Sequence, residues 1–170
     1  MGSSQSILEL VAAAQLNVKK YEDRISNILN HIDGLNGSNA NSKELTDMIV
    51  SLELAMVDIF STFEARMQHH FKRGPFSRKL KSLLLDAGET DLADRVHQYY
   101  LAVNVLKHGK GASYRELLKS PTSLFAVTAP PADPTDEAQA NQSLIDVTAP
   151  SFFEGLTNTI IEAYHFLEGK

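Results

Sequence analysis

Two residues spaced four apart, Asn104 and His108, carry side chains well suited to chemistry on a phosphate. Histidine changes its charge near neutral pH and can therefore move a proton. An asparagine one helical turn earlier can orient a phosphate or the imidazole ring. The pair predicts His108 as a general acid–base and Asn104 as its orienting or phosphate-contacting partner.

Positive charge surrounds this pair in the sequence. "GKG" at 109–111 follows His108 directly, and Lys107, Lys110 and Arg115 lie close by. Backbone N–H groups and the start of a following helix add positive potential that attracts phosphate. We therefore expect Lys107, Lys110 and Arg115 to attract a phosphate-bearing ligand.

The same residues also fit a purely structural interpretation. A histidine at the C-terminal end of a helix is favoured by the helix dipole. Gly109 is then the glycine that ends the helix, and "GKG" is a linker. A Walker phosphate loop is absent, because "GKG" lacks its spacing. The sequence leaves the catalytic and the structural interpretations open.

The helix that positions the pair is predicted over Thr90–His108. At 100° per residue its core stripe contains Leu92, Val96, Tyr99, Val103 and Leu106. A second stripe contains His97, Leu101, Asn104 and His108. Arg95 lies more than half a turn away from His108 and cannot share this face within its own chain.

Helical periodicity continues along most of the chain. Apolar spacing and capping signals predict further helices at about 6–34, 43–71, 75–88, 114–119 and 151–167. Capping boxes are expected at 6–9, 113–116 and 151–154, and Ser42 is expected to cap the second helix. The first two helices are long, so we expect an antiparallel hairpin. The seam of the first helix either extends to a partner chain or is covered by later helices.

The segment before the last helix differs from the rest. "SLFAVTAP" at 123–130 and "SLIDVTAP" at 143–150 match at six of eight positions and suggest two short paired strands. Residues 131–142 between them are polar and contain prolines, so we expect a mobile loop. The fold class is therefore predicted as all-α, a bundle of about five helices with a small two-stranded ribbon or loop insert, in one domain over 1–170.

Composition restricts the function further. The chain has 170 residues, no cysteine and a net charge of −5. The lack of cysteine excludes a disulfide framework and thiolate zinc sites, and no metal or other cofactor is expected. No apolar run is long enough for a membrane span, and no signal peptide is evident. We expect a cytoplasmic protein without membrane contact.

The charge is unevenly distributed along the chain. Residues 72–119 contain ten Lys or Arg and five Asp or Glu, a local charge of 10 − 5 = +5. Basic and aromatic residues also alternate over 63–81, a pattern found on RNA-contacting surfaces. This middle third either faces a polyanion or is an ordinary solvated surface.

The stretch "VNVLKHGKG" at 103–111 resembles the signature motif of the HEPN superfamily. That motif is an arginine, then four to six residues, then a histidine. Asn, Asp or His often follows the arginine, and one subgroup has a tyrosine two residues after the histidine. Asn104 and His108 match this pattern, whereas Val103 occupies the arginine position and Lys110 the tyrosine position. The similarity covers about residues 90–118.

The resemblance implies a helical bundle that is usually a dimer, with the two motifs facing each other across a cleft. Active members are metal-independent ribonucleases of toxin–antitoxin and antiphage systems, in which the histidine acts on the scissile phosphate. Many members keep the fold without the chemistry. Because valine cannot stabilise a phosphorane, two interpretations stay open. One is an RNA-acting or RNA-binding HEPN-like domain, and the other is a non-catalytic dimerisation or protein-interaction module with a cognate protein partner.

Overall fold

The computed structural model describes residues 6–32, 39–130 and 143–169. The fold class is all-α, as predicted. The described chain forms helices α1 (Ile7–Ile32), α2 (Asn39–Met67), α3 (Phe76–Asp86), α4 (Thr90–His108), α5 (Ala112–Lys119) and α6 (Pro150–Glu168), with a 3-10 turn at Gln68–His70. Among these helices, none combines the length and apolar character needed to cross a membrane.

The described residues group into two compact units. Unit one contains α1, α2 and α6, and unit two runs from Gln68 to Asp146 with α3, α4 and α5. The expectation of one domain over 1–170 stays a prediction. The loop predicted at 131–142 lies outside the described residues.

The N-terminal hairpin of unit one is confirmed. Arg24, near the end of α1, forms an ion pair with Glu44, near the start of α2. Such a pairing is expected where two long helices pack together and run in opposite directions. The α1 seam is covered within this chain, because α1 packs on both α2 and α6. Its buried members are Ile7, Val11, Val18, Ile25 and Ile28.

Only one of the three expected capping boxes forms. The backbone N–H of Glu9 donates to Ser6 Oγ, and that of Ser6 donates to Glu9 Oε2, each at 3.2 Å. The box at 113–116 is wrong, because α5 already begins at Ala112 with Gly111 as its N-cap. The box at 151–154 is wrong as well, because Pro150 starts α6. Proline suits a first helical position, where its missing N–H would have no partner.

The second helix also begins earlier than its sequence suggests. It starts at Asn39, so Ser42 lies inside α2 and cannot be its N-cap. The backbone carbonyl of Ser42 instead accepts a hydrogen bond from Thr46 Oγ1 at 3.0 Å. Serine is favoured at N-caps, but most of the stability of a helix comes from the packing of its apolar face, which determines where α2 begins.

The predicted ribbon is reduced to a single antiparallel bridge, between Val127 and Ile145, with no strand among the described residues. Pro130, three residues after Val127, has no N–H to donate to a longer ladder. On the other side the N–H of Leu124 donates to Thr122 Oγ1 at 3.1 Å rather than across the pair. The bridge still anchors α5, because Tyr114 donates its hydroxyl to the carbonyl of Thr128 at 2.6 Å.

Glu22 on α1 makes the stability of unit one depend on pH. Burial raises the pKa of its carboxyl, the charge of Asp23 raises that pKa further, and Lys19 lowers it. A raised pKa in the folded state means that ionisation opposes folding. The stability linked to the protonated carboxyl is therefore complete below the unfolded-state pKa and is lost as the pH rises through the folded-state pKa.

We expect Glu22→Gln to stabilise the protein at pH 7, because glutamine has the same shape and cannot ionise. Glu22 is only partly buried and solvent screens its charge, so the rise in Tm should be only about one to two degrees. Thermal denaturation from pH 3.5 to 7.5 measures it, with Asp58→Asn as a control for net charge. A gain in Tm that persists unchanged at the acid end would contradict this account.

Candidate functional site

The second stripe of α4 divides into three environments in unit two. His97 and Leu101 line a pocket between α3, α4 and α5. Asn104, one turn further on, is half-buried and contacts α5. His108 is exposed at the end of the helix and is not among the residues that line this pocket. A single helical face therefore presents polar groups both to the pocket, through His97, and to the surface at the end of the helix, through His108.

The turn after His108 has the geometry of a helix end. Gly109 has a φ of 71°, and its N–H donates to the carbonyl of Val105 at 2.8 Å. That positive φ suits glycine, which lacks the Cβ that would clash. Gly111, in an extended conformation, is the N-cap that precedes α5. The linker role expected for "GKG" is thus present, and it leaves Lys107, His108 and Lys110 exposed together at the surface.

Asn104 connects the two helices on either side of this turn. Its Nδ2 donates to Ser113 Oγ at 3.3 Å. Ser113 is in the first turn of α5, so the bond holds the start of α5 against α4. The amide of Asn104 therefore has a structural role, and its carbonyl oxygen remains an additional acceptor.

Val103 is buried, with 1% of its surface exposed. The position at which the HEPN resemblance would require an arginine therefore belongs to the apolar core. An arginine here would place a guanidinium among apolar groups at a cost of several kcal/mol. An apolar side chain at position 103 is therefore what the packing of α4 requires.

The pocket has a volume of about 400 Å³, within the range typical of small-molecule sites. Residues from three elements surround it: Pro75, Ser77, Arg78 and Lys81 around α3, His97, Tyr100 and Leu101 from α4, and Ala112, Ser113 and Glu116 from α5. The rings of His97 and Tyr100 are 6.4 Å apart between centroids, at 28° to each other. The walls are therefore partly aromatic and partly charged.

His97 and Glu116 form the central polar contact of the pocket. His97 Nε2 lies 2.9 Å from Glu116 Oε1, across the gap between α4 and α5. An ionised carboxylate only accepts hydrogen bonds, so it favours the tautomer with hydrogen on Nε2. The bond fixes the orientation of the ring and leaves Nδ1 available to another group.

Two cations of α3 give the pocket a positive balance. Arg78 is exposed, Lys81 is half-buried, and both line the pocket. Among the described residues, neither has an acidic partner. Glu116 is the one acidic side chain in this lining, and its Oε1 contacts His97.

Sequence reasoning identified part of this pocket. His97 and Leu101 were on the predicted stripe, and Arg78 and Lys81 belong to the basic and aromatic stretch at 63–81. Glu116 was missed as a functional residue, because it was assigned to a capping box. It is 19 residues from His97, and no local pattern signals a contact at that separation.

Tyr99 belongs to the core of unit two. Only 1% of its surface is exposed. Burial raises the pKa of its hydroxyl, and the nearby charge of Arg95 opposes this rise. Tyr99 therefore stays protonated near neutral pH, and its ring lies 5.7 Å from that of Phe125 between centroids. Tyr100, the next residue, lines the pocket.

No protein-family model, curated protein or solved structure matches this chain. The functional argument therefore depends on the geometry of the described residues.

The burial of Val103 leads to a prediction about the HEPN-like motif. We expect Val103→Arg to lower the free energy of unfolding by more than about 3 kcal/mol, because it buries an unpaired charge. Chemical denaturation measures this loss. Leu85→Arg makes the same type of change at a residue that is 47% exposed, and should change stability little. A stable Val103→Arg variant that cleaves RNA would show instead that position 103 reaches a catalytic cleft.

Proposed function

We propose that this protein is a HEPN-like helical domain that binds RNA through unit two. The observation that carries the proposal is the exposed cationic turn, which we define as Lys107, His108, Lys110 and Arg115. All four side chains are exposed around the junction of α4 and α5. The setting implied by the HEPN resemblance is a toxin–antitoxin, stress or phage-defence system.

The charge distribution supports RNA as the ligand. Residues 72–119 carry a local charge of +5 within a chain of −5, so positive charge is concentrated in the part of unit two that contains α3, α4 and α5. Binding to a nucleic acid backbone is dominated by contacts between such cations and phosphates. The aromatic and cationic pocket lies between helices of the same unit.

Binding is favoured over cleavage by the environment of two motif residues. Val103 is buried and cannot stabilise a developing negative charge, a loss that typically costs about 100- to 1,000-fold in rate. Asn104 donates a hydrogen bond to Ser113, a contact within the protein itself. His108 remains exposed, so it is available to contact a phosphate.

A non-catalytic dimerisation or protein-interaction module is the second candidate. Its support is an exposed apolar strip on α2, where Val50 is 47% and Leu54 is 63% exposed. Val57 continues the same helical face and is half-exposed. This candidate predicts a homodimer or a cognate protein complex without affinity for RNA.

The RNA proposal predicts a specific loss when the turn is neutralised. We expect Lys107→Gln, Lys110→Gln and Arg115→Gln together to weaken binding of a 12-nucleotide single-stranded RNA at least about tenfold at 0.1 M salt. Losing three phosphate contacts should also flatten the slope of log Kd against log salt by about 2. Fluorescence anisotropy across a salt series measures both quantities.

A matched control removes the same charge from unit one. Lys19, Lys20 and Lys43 are exposed lysines of α1 and α2, and their change to glutamine should leave the slope nearly unaltered. Equal losses in both triple variants would indicate an effect of net charge alone. No binding by the wild type would reject RNA and favour the interaction module.

Cleavage is tested on the same RNA with EDTA present, comparing the wild type with His108→Ala. We expect intact RNA in both samples, because the motif lacks its charge-stabilising group. Cleavage by the wild type that disappears in His108→Ala would contradict this expectation and establish a metal-independent ribonuclease.

A further inference from the structure

We propose that the pocket between α3, α4 and α5 binds a phosphate monoester attached to a group about the size of a pentose. The inference concerns a different set of residues from the exposed cationic turn. It is carried by Arg78 and Lys81 on α3, the contact between His97 and Glu116, and the hydroxyl of Ser113.

The charges of the pocket suit a dianion. Arg78 and Lys81 contribute two positive charges, and neither is neutralised by an acidic side chain of the described residues. Charge-assisted hydrogen bonds from such groups are the strongest phosphate contacts available to a protein. A phosphate monoester carries close to two negative charges near neutral pH, whereas a phosphodiester carries one. Two unpaired cations therefore match a terminal phosphate better than an internal one.

Ser113 offers a hydrogen-bond donor to the same space. Its oxygen accepts from Asn104 Nδ2 at 3.3 Å, so its own hydrogen is free to point elsewhere. Ser113 lines the pocket, and that hydrogen can be donated to a phosphate oxygen. Asn104 thus acts as a positioning residue for Ser113, which gives this part of the HEPN-like motif a second role.

The contact between His97 and Glu116 reduces the repulsion that a carboxylate would exert on the anion. Glu116 Oε1 is 2.9 Å from His97 Nε2, so one of its two oxygens already has a hydrogen-bond donor and is partly screened by it. The bond also fixes the ring beside Tyr100. The remaining negative charge of Glu116 still weakens anion binding, which makes this residue useful for a test.

The rest of the wall suits a compact organic group. Leu101 is buried and, with Tyr100 and Pro75, gives the pocket apolar surface. A volume of about 400 Å³ is several times that of a phosphate group and leaves room for a five-membered ring. Such a ligand is either the phosphorylated end of an RNA strand or a free sugar phosphate.

An RNA end is the source that we expect, and in this respect the inference rests on the proposed function. The two sources are separated by four probes: one 12-nucleotide RNA with a 5′-phosphate, with a 3′-phosphate or with neither, and free ribose 5-phosphate. We expect the full-length wild type to prefer one of the two phosphorylated strands, with either the 5′- or the 3′-phosphate. It should bind that strand at least about tenfold more tightly than the unphosphorylated strand. Anisotropy competition and calorimetry give the constants.

Three variants report on the pocket. Arg78→Gln combined with Lys81→Gln should abolish the preference for the terminal phosphate. The affinity for the phosphorylated strand should then fall about tenfold or more. Glu116→Gln keeps a hydrogen-bond acceptor for His97 and removes a negative charge, so it should tighten binding of the phosphorylated probe several-fold. Lys79→Gln removes one charge from an exposed position of α3 outside the pocket lining and should preserve the preference.

The outcomes separate this inference from the proposed function. RNA binding by the wild type without any preference for a terminal phosphate, and without binding of ribose 5-phosphate, would overturn the pocket assignment and leave RNA binding intact. Binding of ribose 5-phosphate that depends on Arg78 and Lys81, without binding of RNA, would support the pocket and reject RNA as the partner. A preference lost equally in Lys79→Gln would also overturn the assignment, as would weaker binding by Glu116→Gln.

Discussion

The burial of α4 between α3 and α5 is the constraint on which unit two depends. This helix packs against both neighbours, and its buried residues lie on more than one face: Leu92, Ala93, Val96, Tyr99, Leu101, Ala102, Val103 and Val105. Each large buried side chain contributes about 1.5–3 kcal/mol of hydrophobic stabilisation. A helix held on several sides cannot rotate, so the positions of its polar residues are fixed by apolar packing.

That packing determines which polar residues can act together. Leu101 is buried at the wall of the pocket, and this places His97, one turn earlier, opposite Glu116 on α5. One turn later, Asn104 meets Ser113 and holds the start of α5. The two contacts are formed by the same pair of helices, so the orientation of α5 and the shape of the pocket are coupled. Polar groups held by such contacts are pre-organised for a ligand, which lowers the entropy cost of binding.

The HEPN-like motif has a different physical meaning once α4 is packed. Val103 belongs to the core, Asn104 supports α5, and His108 lies exposed beside the glycine that ends the helix. Three residues of one short stretch therefore occupy three environments. Val103 and Asn104 differ because consecutive helical residues point about 100° apart. His108 shares the face of Asn104 and differs from it because it is the last residue of the helix.

The sequence by itself determined the all-α class, the long hairpin and the limits of α4, since these follow from local periodicity and from glycine at a helix end. It also marked His97 and the basic stretch at 63–81 as unusual. Only the tertiary structure decided that Glu116 would meet His97 rather than cap a helix, and that the paired segments would form one bridge. These outcomes depend on contacts between residues far apart in the chain. Local propensities differ by less than about 1 kcal/mol per residue and are overridden by packing.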